Sequence, residues 1–214
     1  MKNVVDIVQE TKVVAIVRGL GSGYEKLAQA LFDGGIRAVE VTFNQKDSTQ
    51  WEKTTNAIRE IKALMGDKMA VGAGTVTTVE LVQLAFDAGA EFIVSPDVNE
   101  DVIRRTKELG MVSMPGALTP TEVLQAHKAG ADFVKVFPAG TLGSGYIKAI
   151  RGPLNHIRLL AVGGVSEKNA GEFMKAGCAG VGVGGNLVNK DWIAAGEFDK
   201  ITELSRELCD SVKG

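Results

Sequence analysis

Several features that would fix a function quickly are scarce in this chain. Its 214 residues include two cysteines, Cys178 and Cys209. Two unpatterned cysteines make neither a disulfide framework nor a zinc site, so the cytoplasm is the default compartment. There are two histidines, His127 in a helical pattern and His156 in a loop. Neither stands at the end of a strand, so a histidine-based metal site is not expected. No Ser-His-Asp or Cys-His set has a sensible location either. The net charge is only −2, which gives no general attraction to nucleic acid or anionic membrane. No segment approaches the roughly 20 apolar residues that span a bilayer. The first ten residues, MKNVVDIVQE, carry acidic groups and no long apolar core, so they do not read as a secretory leader.

What is present is ordinary for a soluble globular protein: 45% hydrophobic and 23% charged residues. One domain over 1–214 is the expectation, and it is large enough to bury a core without staples. Glycine is the one excess, with 26 spread along the chain as turn and close-approach devices. Short β-branched runs alternate with amphipathic stretches. Strands are expected at 13–18, 37–43, 69–74, 91–95, 111–114, 133–137, 158–162 and 180–184, with helices between them and an extra helix over 3–10. Near-continuous apolar strands separated by helices indicate a parallel sheet covered by helices, and eight such units indicate a closed (β/α)₈ barrel. A sub-repeat supports the register. FDGGIRAVEV, FDAGAEFIVS, HKAGADFVKV and MKAGCAGVGV each end a helix, pass a glycine (Gly34, Gly89, Gly130, Gly177) and start a strand. Glycine in the left-handed position after a helix accounts for the pattern. The Thr-Pro-Thr-Glu run at 119–122 reads as a helix start. An open doubly wound sheet is the alternative fold. It would keep a glycine-rich phosphate turn after its first strand, whereas here the glycine runs follow the last two strands.

Polar residues on strands that should be apolar are the informative exceptions, because a buried charge is costly unless paired or functional. Lys135 is the sharpest. In Phe133-Val134-Lys135-Val136-Phe137 side chains alternate, so the lysine shares a face with two phenylalanines. It is either a snorkelling or ion-paired lysine, or a nucleophile. Desolvation disfavours the ammonium and frees the amine that attacks a carbonyl. Glu40 shares a face with Ala38 and Thr42 and is either a structural partner, Lys135 included, or a proton shuttle. Arg18 ends the first strand, where it is a rim residue or a fork for carboxylate or phosphate. Thr75 follows Gly72-Ala73-Gly74, as a tight turn or as a hydroxyl donor beside an exposed backbone. The runs Gly163-Gly164-Val165 and Gly184-Gly185-Asn186 lie where a barrel holds phosphate with backbone N–H groups. The match of 180–185 to G-x-G-x-x-G falls within a strand and is set aside.

Taken in order, AIVRG (15–19), GGIRAVEVTF (34–43), VGAGTV (71–76), AGAEFIVSP (88–96), MPG (114–116), KVFPAG (135–140), GP (152–153), AVGGV (161–165) and AGCAGVGVGG (176–185) resemble a known family almost end to end. It is that of the 2-keto-3-deoxy-6-phosphogluconate and 4-hydroxy-2-oxoglutarate aldolases, or KDPG and KHG aldolases. The resemblance implies a class I aldolase with no cofactor or metal, acting on a small keto acid as a cytoplasmic homotrimer. It makes Lys135, in K-x-F-P with Phe137, the Schiff-base lysine and Glu40 the acid/base group. Thr75 becomes a carboxylate ligand, and Pro96, Phe137, Val162, Gly163, Gly164, Gly184, Gly185 and Asn186 line the substrate. Three positions depart from the gluconate-type pattern. Asn44 stands where some members carry arginine, with Arg18 supplying the charge instead. Val162 replaces a threonine, and Asn186 replaces a serine. Val162 and Asn44 look closer to the 2-keto-3-deoxy-6-phosphogalactonate aldolases. The expected reaction is retro-aldol cleavage of a 2-keto-4-hydroxy acid to pyruvate and an aldehyde, glyceraldehyde 3-phosphate or glyoxylate. Its rivals are a phosphosugar epimerase, which needs strand-end metal ligands, and a pyruvate-binding barrel without turnover.

Overall fold

A computed structural model describes residues 3–213; residues 1, 2 and 214 of the expected domain lie outside that description. Helix α1 (Val4–Thr11) comes first, with Asn3 capping its start through Val5 N–H. Then β1 (Val13–Val17), α2 (Tyr24–Asp33), β2 (Ala38–Thr42), α3 (Trp51–Met65), β3 (Ala70–Gly74), α4 (Val79–Asp87), β4 (Phe92–Val94) and α5 (Glu100–Glu108) alternate. Two short strands follow, β5 (Val112–Met114) and β6 (Gly116–Ala117). Alternation resumes with α6 (Pro120–Lys128), β7 (Val134–Val136), α7 (Ala139–Arg151), β8 (Leu159–Val162), α8 (Ala170–Lys175) and β9 (Gly180–Val183). Helices α9 (Lys190–Ala195) and α10 (Phe198–Ser211) end the chain.

All pairings are parallel, in the order β5-β4-β3-β2-β1-β9-β8-β7-β6. The sheet curls into a nearly closed barrel, and its two ends are consecutive in the chain. The fifth expected strand, 111–114, is present as β5, and β6 beyond Pro115 is a further strand that the sequence reading did not include. Pro115 has no N–H to give a ladder, so the segment pairs with β4 before it and with β7 after it. The Pro115 carbonyl still accepts from Lys135 N–H at 2.8 Å. A Cβ on Gly116 would stand 2.4 Å from the Pro96 carbonyl oxygen, so only glycine lets the fifth strand cross so near the end of the fourth.

Alternation along the strands divides the core in two. Outward residues such as Val39, Val71 and Val181 pack against the helices. Inward residues, among them Val14, Ala38, Ala70, Phe92, Met114, Phe133 and Leu160, fill the barrel. Val4 and Val8 of α1 join this inner cluster and close the end where the strands begin. That leaves the C-terminal ends open, the position of the site in barrels of this kind.

The helix start at Thr119 is a full capping box with Pro120 and Glu122. Gly89, Gly130 and Gly177 adopt positive φ after their helices, as the sub-repeat predicts. Gly34 does not: its φ is −80°, and the left-handed residue is Gly35, at 101°. Gly34 is glycine for a different reason. A Cβ there would lie 2.2 Å from Ser205 Cβ and 2.7 Å from the Thr202 carbonyl of α10, which packs across the end of α2. Among the described residues no helix is long and apolar enough to cross a membrane.

Candidate active site

A cleft of about 1170 Å³ opens at the C-terminal ends of the strands. All twelve residues singled out from the sequence line it: Arg18, Glu40, Thr75, Pro96, Lys135, Phe137, Val162, Gly163, Gly164, Gly184, Gly185 and Asn186, with Asn44 beside them. They lie on, or just past, β1, β2, β3, β4, β7, β8 and β9, and only closure of the barrel gathers them.

Lys135 stands at the centre of β7, register-paired with Gly116 and Leu160, and is 8% exposed. Desolvation pushes its pKa below the usual lysine value, and the Arg18 cation pushes the same way. Glu40 and Asp97 oppose them. The two phenylalanines flanking the lysine in sequence do different things. Phe133 is fully buried inside the barrel below, whereas Phe137 is 40% exposed at the mouth, its ring centroid 5.0 Å from Nζ. Burial of the lysine therefore comes mainly from the barrel interior, and Phe137 forms an exposed part of the cleft rim.

Glu40 lies in the middle of β2 and is 2% exposed. Burial raises its pKa, and Lys135 and then Arg18 pull it back down. Its Oε2 is buried and has no hydrogen-bond partner among the described residues. A buried carboxylate oxygen with no protein partner is expensive to keep. Glu40 and Lys135 feel each other's charge, but that oxygen is not used up by a structural bond. Room for the carboxylate is made on the next strand. A Cβ on Gly74 would meet the Glu40 carboxyl atoms at 2.8 Å, and one on Gly72 would meet the Phe92 ring at 2.5 Å. The V-G-A-G run is thus the imprint of two larger side chains lying across β3.

Arg18 is exposed, one residue beyond β1, and acts electrostatically on both Glu40 and Lys135. Thr75 is more than a simple turn. It is β-branched yet has φ 57°, a conformation that costs on the order of 1–2 kcal/mol outside glycine. Such strain, kept at a cleft wall, is characteristic of functional positions. Val162 is 6% exposed, and Gly182 beside it leaves the space its methyls occupy, at 2.9 Å from where a Cβ would be.

The turn after β8 is built by Gly163 and Gly164, both at positive φ, 88° and 73°. Their carbonyls are taken by Gly140 N–H at 2.7 Å and by Asn169 Nδ2 at 2.9 Å. After β9, the Gly184 carbonyl accepts from Leu187 and Val188. Among the described residues the N–H groups of Gly163, Gly164, Gly185 and Asn186 donate to no protein acceptor. Two further contributors escape a reading of the sequence. Gln45 reaches Thr75 across the rim, and Lys190, at the start of α9, sets its ammonium 3.5 Å from where a Cβ on Gly19 would be. Both lie in polar segments with no periodic signal, and only the folded geometry turns them toward the cleft. Among the described residues no group of three or more His, Cys, Asp or Glu side chains converges as a metal cage would require.

Fold and site together define a parallel β/α barrel with a desolvated lysine and, at its open end, a carboxylate with one oxygen free of hydrogen bonds among the described residues. Residues 4–204 match the family model described as KDPG and KHG aldolase. The 2-dehydro-3-deoxy-6-phosphogalactonate aldolase of Escherichia coli (strain K12) is 41% identical over 82% of this chain and 83% of that one. The 2-dehydro-3-deoxy-phosphogluconate aldolase of Treponema pallidum (strain Nichols) is 37% identical over 87% and 86%. A solved structure described as native KDPGal superposes with a TM-score of 0.82, at 36% identity over 93% of each chain. The chain belongs to the KDPG and KHG aldolase family, and it is an aldolase, a carbon–carbon lyase.

Proposed function

We propose that this aldolase works through a Schiff base on Lys135 and releases pyruvate from a 2-keto-4-hydroxy acid. The observation that carries this is the pairing, inside one apolar barrel end, of a lysine whose pKa is lowered by burial with a carboxylate oxygen that has no structural partner. The neutral Lys135 amine attacks the C2 carbonyl, and loss of water gives the imine. The protonated imine is the electron sink. Glu40 takes the proton of the C4 hydroxyl, directly or through water, as the C3–C4 bond breaks. The aldehyde leaves, and the bonding pair remains as an enamine on the pyruvyl half. Protonation at C3 returns the imine, and water then releases pyruvate and the free lysine. Arg18 and Thr75 hold the carboxylate. The unclaimed N–H groups after β8 and β9 hold a distal phosphate, with Lys190 as a nearby cation.

The substrates proposed are 2-keto-3-deoxy-6-phosphogluconate and 4-hydroxy-2-oxoglutarate. Val162 favours a second reading, the phosphogalactonate epimer, because a methyl gives no hydrogen bond to the hydroxyl that distinguishes the two. The family resemblance extends the proposal to a cytoplasmic homotrimer, which light scattering checks. The deciding experiment is incubation with pyruvate and borohydride. A reduced adduct mapped to Lys135 is expected. An adduct on another lysine, or none, overturns the mechanism.

A further inference from the structure

Thr75 is held in its left-handed conformation by bonds of two kinds. Backbone bonds secure its flanks. The Gly74 carbonyl accepts from Phe43 N–H at 2.9 Å, and Val76 N–H donates to the Val94 carbonyl at 3.1 Å. Neither of these needs a particular side chain. The carbonyl of Thr75 itself is held differently: it accepts from Gln45 Nε2 at 2.7 Å. The same carboxamide is oriented from its other end, where Oε1 accepts from Thr77 Oγ1 at 3.0 Å. Because the Thr75 carbonyl can only accept, the carboxamide presents its nitrogen there, and the Thr77 hydroxyl, which can donate or accept, donates to the oxygen. Gln45 sits on the loop after β2, three residues past the strand that carries Glu40, and lines the cleft.

We propose that Gln45 is a positioning residue, a clamp that keeps Thr75 at positive φ and so sets the affinity of the cleft for the keto-acid carboxylate. The proposal rests on the reading of Thr75 as a carboxylate ligand. A β-branched residue left to itself relaxes toward negative φ, because Cβ crowds the following carbonyl oxygen in the left-handed region. Gln45 opposes that relaxation at the peptide where it would occur. The clamp is exposed to solvent, so water competes for it and its effect is moderate. Binding therefore feels its loss more than the bond-breaking step at Lys135 does.

The test is steady-state kinetics of pyruvate release. Gln45→Ala is expected to raise KM about threefold to tenfold, the worth of one net hydrogen bond, while kcat stays within about twofold. Gln45→Glu keeps the acceptor for Thr77, has no donor for the Thr75 carbonyl and adds a negative charge beside the carboxylate site, and is expected to raise KM at least as far as Gln45→Ala. In a Thr75→Gly background the clamp has nothing to restrain, since glycine adopts positive φ freely. Adding Gln45→Ala there is expected to change KM by less than about twofold, the usual limit of additivity. A merely structural role for Gln45 would give the same change in both backgrounds. An unchanged KM in Gln45→Ala, or an equal fold-change in the Thr75→Gly background, overturns the clamp. If the wild type released no pyruvate from any keto acid, only the functional reading would fall. The φ of Thr75 in a crystal structure of Gln45→Ala would then decide the clamp, and a value still near 57° would reject it.

Discussion

At the scale of single residues, the site is governed by three charges that tune one another. Burial lowers the pKa of Lys135, Glu40 works against that shift and Arg18 works with it. The rate of adduct formation with pyruvate should therefore rise with pH through a midpoint below 10.5, the ordinary lysine value. Removing the negative neighbour in Glu40→Gln should move that midpoint further down. Removing the positive one in Arg18→Gln should move it up. A rapid-mixing pH profile of the three proteins checks both signs, and a shift in the opposite direction for either variant rejects the assignment. The role proposed for Val162 bears on a different quantity. Val162→Thr is expected to shift the gluconate-to-galactonate ratio of kcat/KM toward gluconate by roughly threefold to tenfold, one hydrogen bond's worth. Arg18→Ala should depress both substrates together, since the carboxylate is common to them. Lys135 and Glu40 were legible in the sequence because a charge in an alternating apolar strand conflicts with its surroundings. The Gln45–Thr75 contact was not: it spans 30 residues and ends on a backbone atom, which leaves no mark on residue type.

At the scale of elements, glycines record what lies against them, and two of them separate stability from catalysis. Gly34→Ala drives a methyl into Ser205 and the Thr202 carbonyl, forcing α10 away from α2. Overpacking of this kind typically costs about 1–3 kcal/mol. Urea denaturation should show that loss, with kcat unchanged, because the contact faces the helices and not the cleft. Gly74→Ala instead places its methyl at 2.8 Å from the Glu40 carboxyl. It should cut kcat at least about tenfold while the midpoint of unfolding moves less than in Gly34→Ala. Equal activity losses in the two variants would contradict this division. The sequence displayed the β/α alternation, the capping box at Thr119 and three of the four left-handed glycines. The fourth was placed one residue early: in the aligned repeats Gly35, not Gly34, stands where Gly89, Gly130 and Gly177 stand, and Gly34 takes the place of Ala88, Ala129 and Ala176. Helix α9 was likewise absent from the sequence reading, as an added element outside the eightfold repeat. The fifth strand was read as ending at Met114, before the proline, whereas β6 beyond it is two residues long, too short to carry a periodic signal.

At the scale of the whole molecule, chemistry that runs through an imine needs no metal to stabilise the carbanion. Pyruvate release should survive prolonged treatment with chelator, measured by a coupled assay. Activity that vanished and then returned with a divalent ion would reject the lysine as the electron sink. The barrel that holds this chemistry is a hoop with a seam. Between β5 and β6 the wall is joined by covalent chain at Pro115, which has no N–H to donate. The backbone N–H of Lys135 spans that joint, ending on the Pro115 carbonyl. Breathing of the hoop at its seam is therefore registered by the Lys135 amide together with those of Asp132 and Phe133, which donate to Ser113. Deuterium uptake at these positions becomes a gauge of how tightly the wall is drawn around Lys135.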